Sequence, residues 1–304
     1  MVQKFEITNG ILTRTNNEQS PISLYIAPND AERKYLVQEL KLDEHTLASA
    51  LDPDELARLE FEPEHTALII KTPMPHSPSE PFLFRIASVG VYLFKDRLII
   101  VTADESFGFD GLKTQRVPSV GFLALRLIYR SIFNFIEHVK IISQISEELQ
   151  EKLTFSMENK YLLNLFSLQK SLVYYLNFIN SNELVINRLR NYAERIGFGT
   201  IEKELVDDIQ IENQQCFKQA EIYSNILASL MDARASIVSN NLNFLMKTLN
   251  IITIGIMVPT LVVSAFSMNV AIPLQHNPHV FWYIMGMAVI SGFGVFLMWR
   301  LKKW

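Results

Sequence analysis

Two apolar blocks decide the reading: LNIITIGIMVPTLVVSAF at residues 249–266 and FWYIMGMAVISGFGVFLMW at residues 281–299. They lie between Lys247 and Arg300, and no Asp, Glu, Lys or Arg falls between those two cations. A hydrocarbon core ~30 Å thick takes about 20 helical residues, so each block is long enough to cross a bilayer once. The alternative, a buried hairpin in a soluble core, needs two core helices of this length without one charge, which soluble proteins seldom carry. The connection at 267–280 begins Ser267-Met268-Asn269 and is short enough only to turn the chain back.

The flanks set an orientation. Lys247 precedes the first block, and Arg300, Lys302 and Lys303 follow the second, whereas the connection has only His276 and His279. Basic residues stay on the cytoplasmic side, so both termini are expected inside, at the inner (plasma) membrane, and the loop outside. Trp282, Tyr283 and Trp299 fall where aromatic residues belt a bilayer interface.

Outward from this hairpin the chain changes character. Of its 304 residues, 49% are hydrophobic and 20% charged, with a formal charge of −4. All of the charge lies outside 248–299, so the rest has the charge density of a soluble domain. The opening Met-Val-Gln-Lys-Phe-Glu has no long apolar run and reads as no signal peptide. Cys216 is alone and forms no internal disulfide, which suits a reducing compartment. A weakly negative chain argues against a nucleic-acid partner.

Residues 1–117 read as a cytoplasmic α/β domain. Strands are expected at 22–27 and 66–71, with a helix over 31–41 capped by Asn29 or Asp30. Asp52-Pro53-Asp54-Glu55 reads as a second helix start: cap, proline at the first position, acid at the third. A loop with prolines at 73, 75, 78 and 81 follows, then strands at 82–88, 89–95 and 97–103, with Lys95-Asp96 at a hairpin turn. Residues 118–200 form a helical region: Leu123, Leu127, Ile132, Phe135, Ile136, Val139 and Ile142 recur at three and four. A second helix is expected over 156–180, with a restart at Ser181-Asn182-Glu183, and Gly197 and Gly199 break the pattern.

From 201 to 266 no stop is found. Pro259 lies inside, but within a span, where proline is tolerated. About 60 helical residues reach roughly 90 Å at ~1.5 Å per residue, which suits a stalk that holds a soluble body off the bilayer or packs against its own copies. Asp232, Ser239, Asn243, Met246, Asn250, Thr253, Met257, Thr260 and Ser264 recur along it at steps of three, four and seven, on one drifting seam. Polar side chains within a span face a partner helix or water. The seam therefore makes either interhelical contacts in a dimer or the lining of a pore built from several copies.

Phe266-Ser267-Met268-Asn269, at the outer end of the penultimate span, resembles the Tyr-Gly-Met-Asn signature of the CorA-type magnesium transporters. The architecture of the whole chain is similar too: an α/β domain, a helical middle, a long stalk helix over 201–266, a loop at 267–280, a second span at 281–299 and a basic tail at 300–304. Asp-Pro-Asp at 52–54 also looks like the family's N-terminal domain. The resemblance implies a homopentameric funnel in the lipid bilayer whose stalk helices line a central pore. Asn269 matches the motif asparagine that rings the outer mouth, beside Met268 and Ser267. Thr260, Met257, Thr253, Asn250, Leu249, Met246 and Asn243 follow inward, with Met257 and Leu249 as apolar gates and Asp232 as an acidic ring at the inner mouth. It also implies that intracellular Mg²⁺ binds between neighbouring domains and closes the pore. Asp208 falls on one of those carboxylates, and Glu62 or Glu64, flanking Pro63, on its partner.

This chemistry is coherent. Mg²⁺ sheds its water reluctantly, so a selectivity ring offers it neutral oxygens; apolar rings gate by dewetting; carboxylates concentrate cations. Departures remain. Ser267 replaces the motif glycine, which permits backbone geometries that serine resists, and the outer loop carries His276 and His279 in place of acids. Zn²⁺, Co²⁺ and Ni²⁺ are thus open beside Mg²⁺ as the cargo, as is a non-conducting, membrane-anchored metal sensor. An enzyme is not expected. There is no nucleophile elbow, phosphate loop or zinc-ligand spacing, and His45, His65, His76 and His138 have no ligand spacing.

Overall fold

The computed structural model describes residues 1–304 apart from 78, 110–115, 156–158, 269, 271–277 and 303–304. The chain divides into two units, Met1–Ser229 and Leu230–Trp304.

In the first unit, strands β1 (Val2–Thr8), β2 (Ile11–Thr15), β3 (Ile22–Ile26), β4 (Arg58–Phe61), β5 (Thr66–Pro73), β6 (Ile86–Leu93) and β7 (Leu98–Thr102) form one sheet, ordered β2-β1-β3-β7-β6-β5-β4. Among the described residues, β3 and β7 pair in parallel and the other pairs are antiparallel. β5 and β7 are buried at every residue and β6 at all but its first, because the sheet is covered on both faces. That is why they read as largely apolar runs rather than as alternating ones.

Helices α1 (Asp30–Gln38) and α2 (Glu44–Leu51) cover one face, where Leu36, Leu42, Leu47 and Ala50 pack on Tyr25, Ile69, Tyr92 and Val101. Asn29 caps α1 through a capping box with Glu32: each side chain accepts a hydrogen bond from the other's backbone N–H, at 2.8 and 2.9 Å. Asp43 caps α2 by accepting from the Thr46 N–H at 2.8 Å.

The expected helix start at Asp52-Pro53-Asp54-Glu55 is overturned. α2 ends at Leu51, and Asp52–Asp54 form an Asx turn, the Asp54 N–H donating to Asp52 Oδ1 at 2.9 Å. The carbonyls of Asp52 and Pro53 accept from Lys71 Nζ at 3.2 and 2.9 Å, so they are taken by the sheet. An acid before a proline suits a turn as well as a cap, and tertiary contact decides. The two strands expected at 82–88 and 89–95 are one, β6, paired along all of β5.

Helices α3 (Val120–Phe155) and α4 (Asn159–Asn191) serve the other face. Ser131 Oγ and Asn182 Nδ2 both donate to the Lys71 carbonyl, and the Lys71 N–H donates to Asn182 Oδ1 at 2.9 Å. The expected restart at Ser181-Asn182-Glu183 does not occur; α4 runs straight through. Ser181 Oγ bonds back to the Phe178 carbonyl at 2.9 Å and Asn182 bonds the sheet, so neither acts as a cap. The short α5 (Ala193–Ile196) ends at Gly197, whose φ of 86° closes the turn in the left-handed region, where glycine carries no Cβ penalty. α6 (Thr200–Phe266) then starts, with Glu202 accepting from the Gly199 N–H at 3.1 Å.

The second unit is the later part of α6 with α7 (Val280–Lys302). Both helices are long and apolar enough to cross a membrane. α6 continues through Pro259. Proline has no N–H to give to the carbonyl four residues back, and its ring crowds that carbonyl; here that residue is Gly255.

Candidate functional site

α6 presents two opposite faces in the second unit. One meets α7. Pro259 and Gly292 make a close contact: a Cβ built on Gly292 would lie 3.2 Å from Pro259 Cγ. Phe244, Thr248, Ile251 and Gly255 line a cleft with α7 on one side of this contact, and Val263 lines one on the other. At about 100° per residue, Asp232, Ser239, Asn243, Met246, Asn250, Thr253 and Met257 lie on the far side of the helix. All seven are exposed in the single chain, as is Leu249 beside them. Thr260 and Ser264 are also exposed, and they border the outer cleft with α7 as well, where the seam has drifted. The polar seam is therefore largely turned away from α7.

The seam's hydroxyls have a defined polarity. Thr253 Oγ1 donates to the Leu249 carbonyl at 2.8 Å, and Thr260 Oγ1 to the Ile256 carbonyl at 2.6 Å. With the proton used inside the helix, each oxygen shows lone pairs outward. That is the polarity that accepts hydrogen bonds from water coordinated to a cation. Met257 and Leu249 are 63% and 57% exposed, apolar steps among these acceptors.

At the outer end, Ser267 Oγ and N–H both donate to the Ser264 carbonyl, at 2.9 and 3.1 Å. Among the described residues, the non-glycine residues with positive φ are Asn9, Ala27 and Lys41. Ser267 is not among them, so the backbone here does not demand the motif glycine. Met268 is 60% exposed. Asn269 and His276 lie outside the described residues; the His279 carbonyl accepts from the Trp282 N–H, in the first turn of α7.

The expected regulatory carboxylates are in the first unit. Asp208 is exposed on α6 and has no ion pair among the described residues, while its neighbour Asp207 binds Arg190 at 2.9 Å. Glu64 pairs with Lys41 at 3.2 Å. Glu62 is half-buried, and its N–H donates to the His65 carbonyl. Burial pushes His65 below its ordinary range, so it stands neutral beside the two glutamates. Among the described residues no three His, Cys, Asp or Glu side chains group as metal ligands, so one chain does not bring Asp208 together with Glu62 and Glu64. His138 is also neutral: burial pushes it down to about 4, and its Nδ1 lies 2.7 Å from the Tyr175 hydroxyl. Burial raises the Cys216 thiol to about 12, which makes it unreactive.

The sequence reading missed the clamp on Lys71 and the Pro259–Gly292 contact. The first had no local signal. The second had only Gly292 itself, a small residue in the second span.

The family model described as CorA-like Mg²⁺ transporter protein matches residues 24–303. The chain belongs to that family. The cobalt/magnesium transport protein CorA of Methanocaldococcus jannaschii is 24% identical over 274 residues, which cover 86% of this CorA-family chain and 84% of the relative. The complete structure of the CorA magnesium transporter from the same organism superposes with a TM-score of 0.85 at 20% identity, over 99% of this chain and 97% of that one. The full-length CmaX protein gives 0.72 at 16% identity over 98% and 97%, and the ZntB cytoplasmic domain of Vibrio parahaemolyticus gives 0.62 at 14% over 78% and 98%. At these identities the structural likenesses establish the fold, including the long helix and the two C-terminal apolar helices.

Proposed function

We propose that this CorA-family chain assembles as a homopentamer in the inner membrane, termini in the cytoplasm, and conducts hydrated Mg²⁺ along an axis lined by α6. The observation that carries the reading is the facing of the seam. Asn243, Met246, Asn250, Thr253 and Met257 point away from α7 and are exposed in one chain. Polar groups facing lipid are costly, and a water-filled axis removes that cost. Asn269 amides form the outer ring with Met268 and Ser267, Thr260 accepts from the ion's water, Met257 and Leu249 gate, and Asp232 gathers cations at the inner mouth. Between neighbouring subunits, Asp208 of one and Glu62 or Glu64 of the next hold Mg²⁺, whose charge offsets carboxylate repulsion and favours the closed state. Co²⁺ is a second cargo, since the relative in Methanocaldococcus jannaschii is named for cobalt and magnesium; Zn²⁺ and Ni²⁺ are further candidates.

Uptake into liposomes holding purified protein tests the reading. Mg²⁺ should enter at low internal Mg²⁺, and Asn269→Ala should lower the rate at least tenfold. Undiminished flux in that variant rejects the outer ring. Absence of flux for any divalent cation favours a non-conducting sensor of the same fold.

A further inference from the structure

We propose that the cleft between α6 and α7 on the Lys247 side is a binding site for an anionic phospholipid, with an acyl chain in the cleft and the phosphate at Lys247. This rests on the reading that both helices cross a bilayer. The helices touch at Pro259 and Gly292 and part toward Lys247. The gap there is a cavity of about 340 Å³, walled by Ile251, Gly255, Val295 and Phe296, with Lys247 and Trp299 at its mouth. From Lys247 to Pro259 is roughly 18 Å at ~1.5 Å per residue, close to one leaflet of a ~30 Å core. The cleft thus opens at headgroup level and closes near the midplane, as a single acyl chain requires.

Charge selects the headgroup. Lys247 and Arg300 are exposed, and the last carboxylate side chain in the sequence is Asp232. No side chain from 233 to 304 can neutralise them, nor can that segment of a second copy. A lipid phosphate can, and the cytoplasmic leaflet supplies anionic ones. A free phosphate would satisfy the cation but leave the apolar cleft empty. The outer cleft is larger, about 820 Å³, and has no cation in its lining, so it has no such preference.

The test uses full-length protein in nanodiscs of equimolar phosphatidylglycerol and phosphatidylcholine with matched chains, stripped gently and weighed by native mass spectrometry. Phosphatidylglycerol should be retained about fivefold over phosphatidylcholine, and Lys247→Gln should bring the ratio to one. A Cβ at Gly255 meets open space, so Gly255→Leu should fill the cleft and lose the retained lipid. Gly294, equally open but outside the cleft lining, serves as the control, and Gly294→Leu should retain it. In unmodified protein, brominated phosphatidylglycerol should quench tryptophan fluorescence more than brominated phosphatidylcholine. Equal retention or equal quenching of the two lipids by the unmodified protein overturns the site, as does a Gly255→Leu protein that holds lipid like the control. Protein recovered without detergent would instead refute the membrane crossing itself.

Discussion

Lys71 is the residue on which the first unit turns. Its side chain is fully buried on β5, 5.2 Å from the Phe178 ring centre, and Nζ donates to Asp52, Pro53 and Ser88. Its own backbone binds Ser131 and Asn182. One residue thus joins the turn after α2, the sheet, α3 and α4. Lys71→Met keeps the volume but leaves the Pro53 carbonyl without its donor and the Asp52 carbonyl with Ser88 alone, and should cost about 1–3 kcal/mol in denaturant unfolding. Burial pushes this ammonium from 10.5 down to about 8, so the unfolded chain holds the proton more tightly than the folded one. The stability it contributes is full above pH 10.5 and is lost as pH falls toward 8. Unfolding measured from pH 8 to 10.5 should show that rise in the native protein and a flatter profile in Lys71→Met. None of this was legible locally: Thr-Ala-Leu-Ile-Ile-Lys reads as a strand, and the partners of its lysine come from the turn at 52–53.

At the scale of elements, the helices were legible and the edge strands were not. α3 and α6 advertise themselves through long apolar periodicity. β1 and β2 carry Lys4 and Glu6 on one face and Arg14 on the other, opposite Phe5, which masks the alternation, although Asn9-Gly10 between them was a hairpin signal; both have positive φ. α2 was missed because its cap, Asp43, lies close behind α1 and the stronger-looking Asp52-Pro53 drew the start instead. α6 and α7 come close at Pro259 and Gly292. Gly292→Leu places a side chain against Pro259, where a Cβ alone already comes to 3.2 Å, and should force the helices apart. We expect loss of the assembled species in size-exclusion chromatography and at least a tenfold fall in cation uptake, with Gly294→Leu close to unmodified protein.

For the whole molecule, the architecture and the family followed from the hairpin, the uncapped stalk and the Ser267-Met268-Asn269 corner. The carboxylate site did not, because its two halves belong to different subunits in the proposed assembly and spacing along one chain carries no information about that junction. Two measurements address it. Native mass spectrometry should return the mass of five chains. Asp208→Ala should weaken Mg²⁺ binding in isothermal titration and leave the pore open at internal Mg²⁺ levels that shut the unmodified protein; unchanged inhibition rejects Asp208. Assembly also sets a hazard that the sheet has already met. In the proposed assembly, five copies side by side would bring β-edges to high local concentration, the condition under which strands add to one another and fibres start. β4 is an edge of only four residues, and its Leu59 carbonyl already accepts a hydrogen bond from Arg188 of α4 at 2.7 Å. In that proposed assembly the occupied acceptor and the shortness of β4 leave an incoming strand fewer groups to bind at this edge, which lowers the tendency of neighbouring copies to seed an aggregate there.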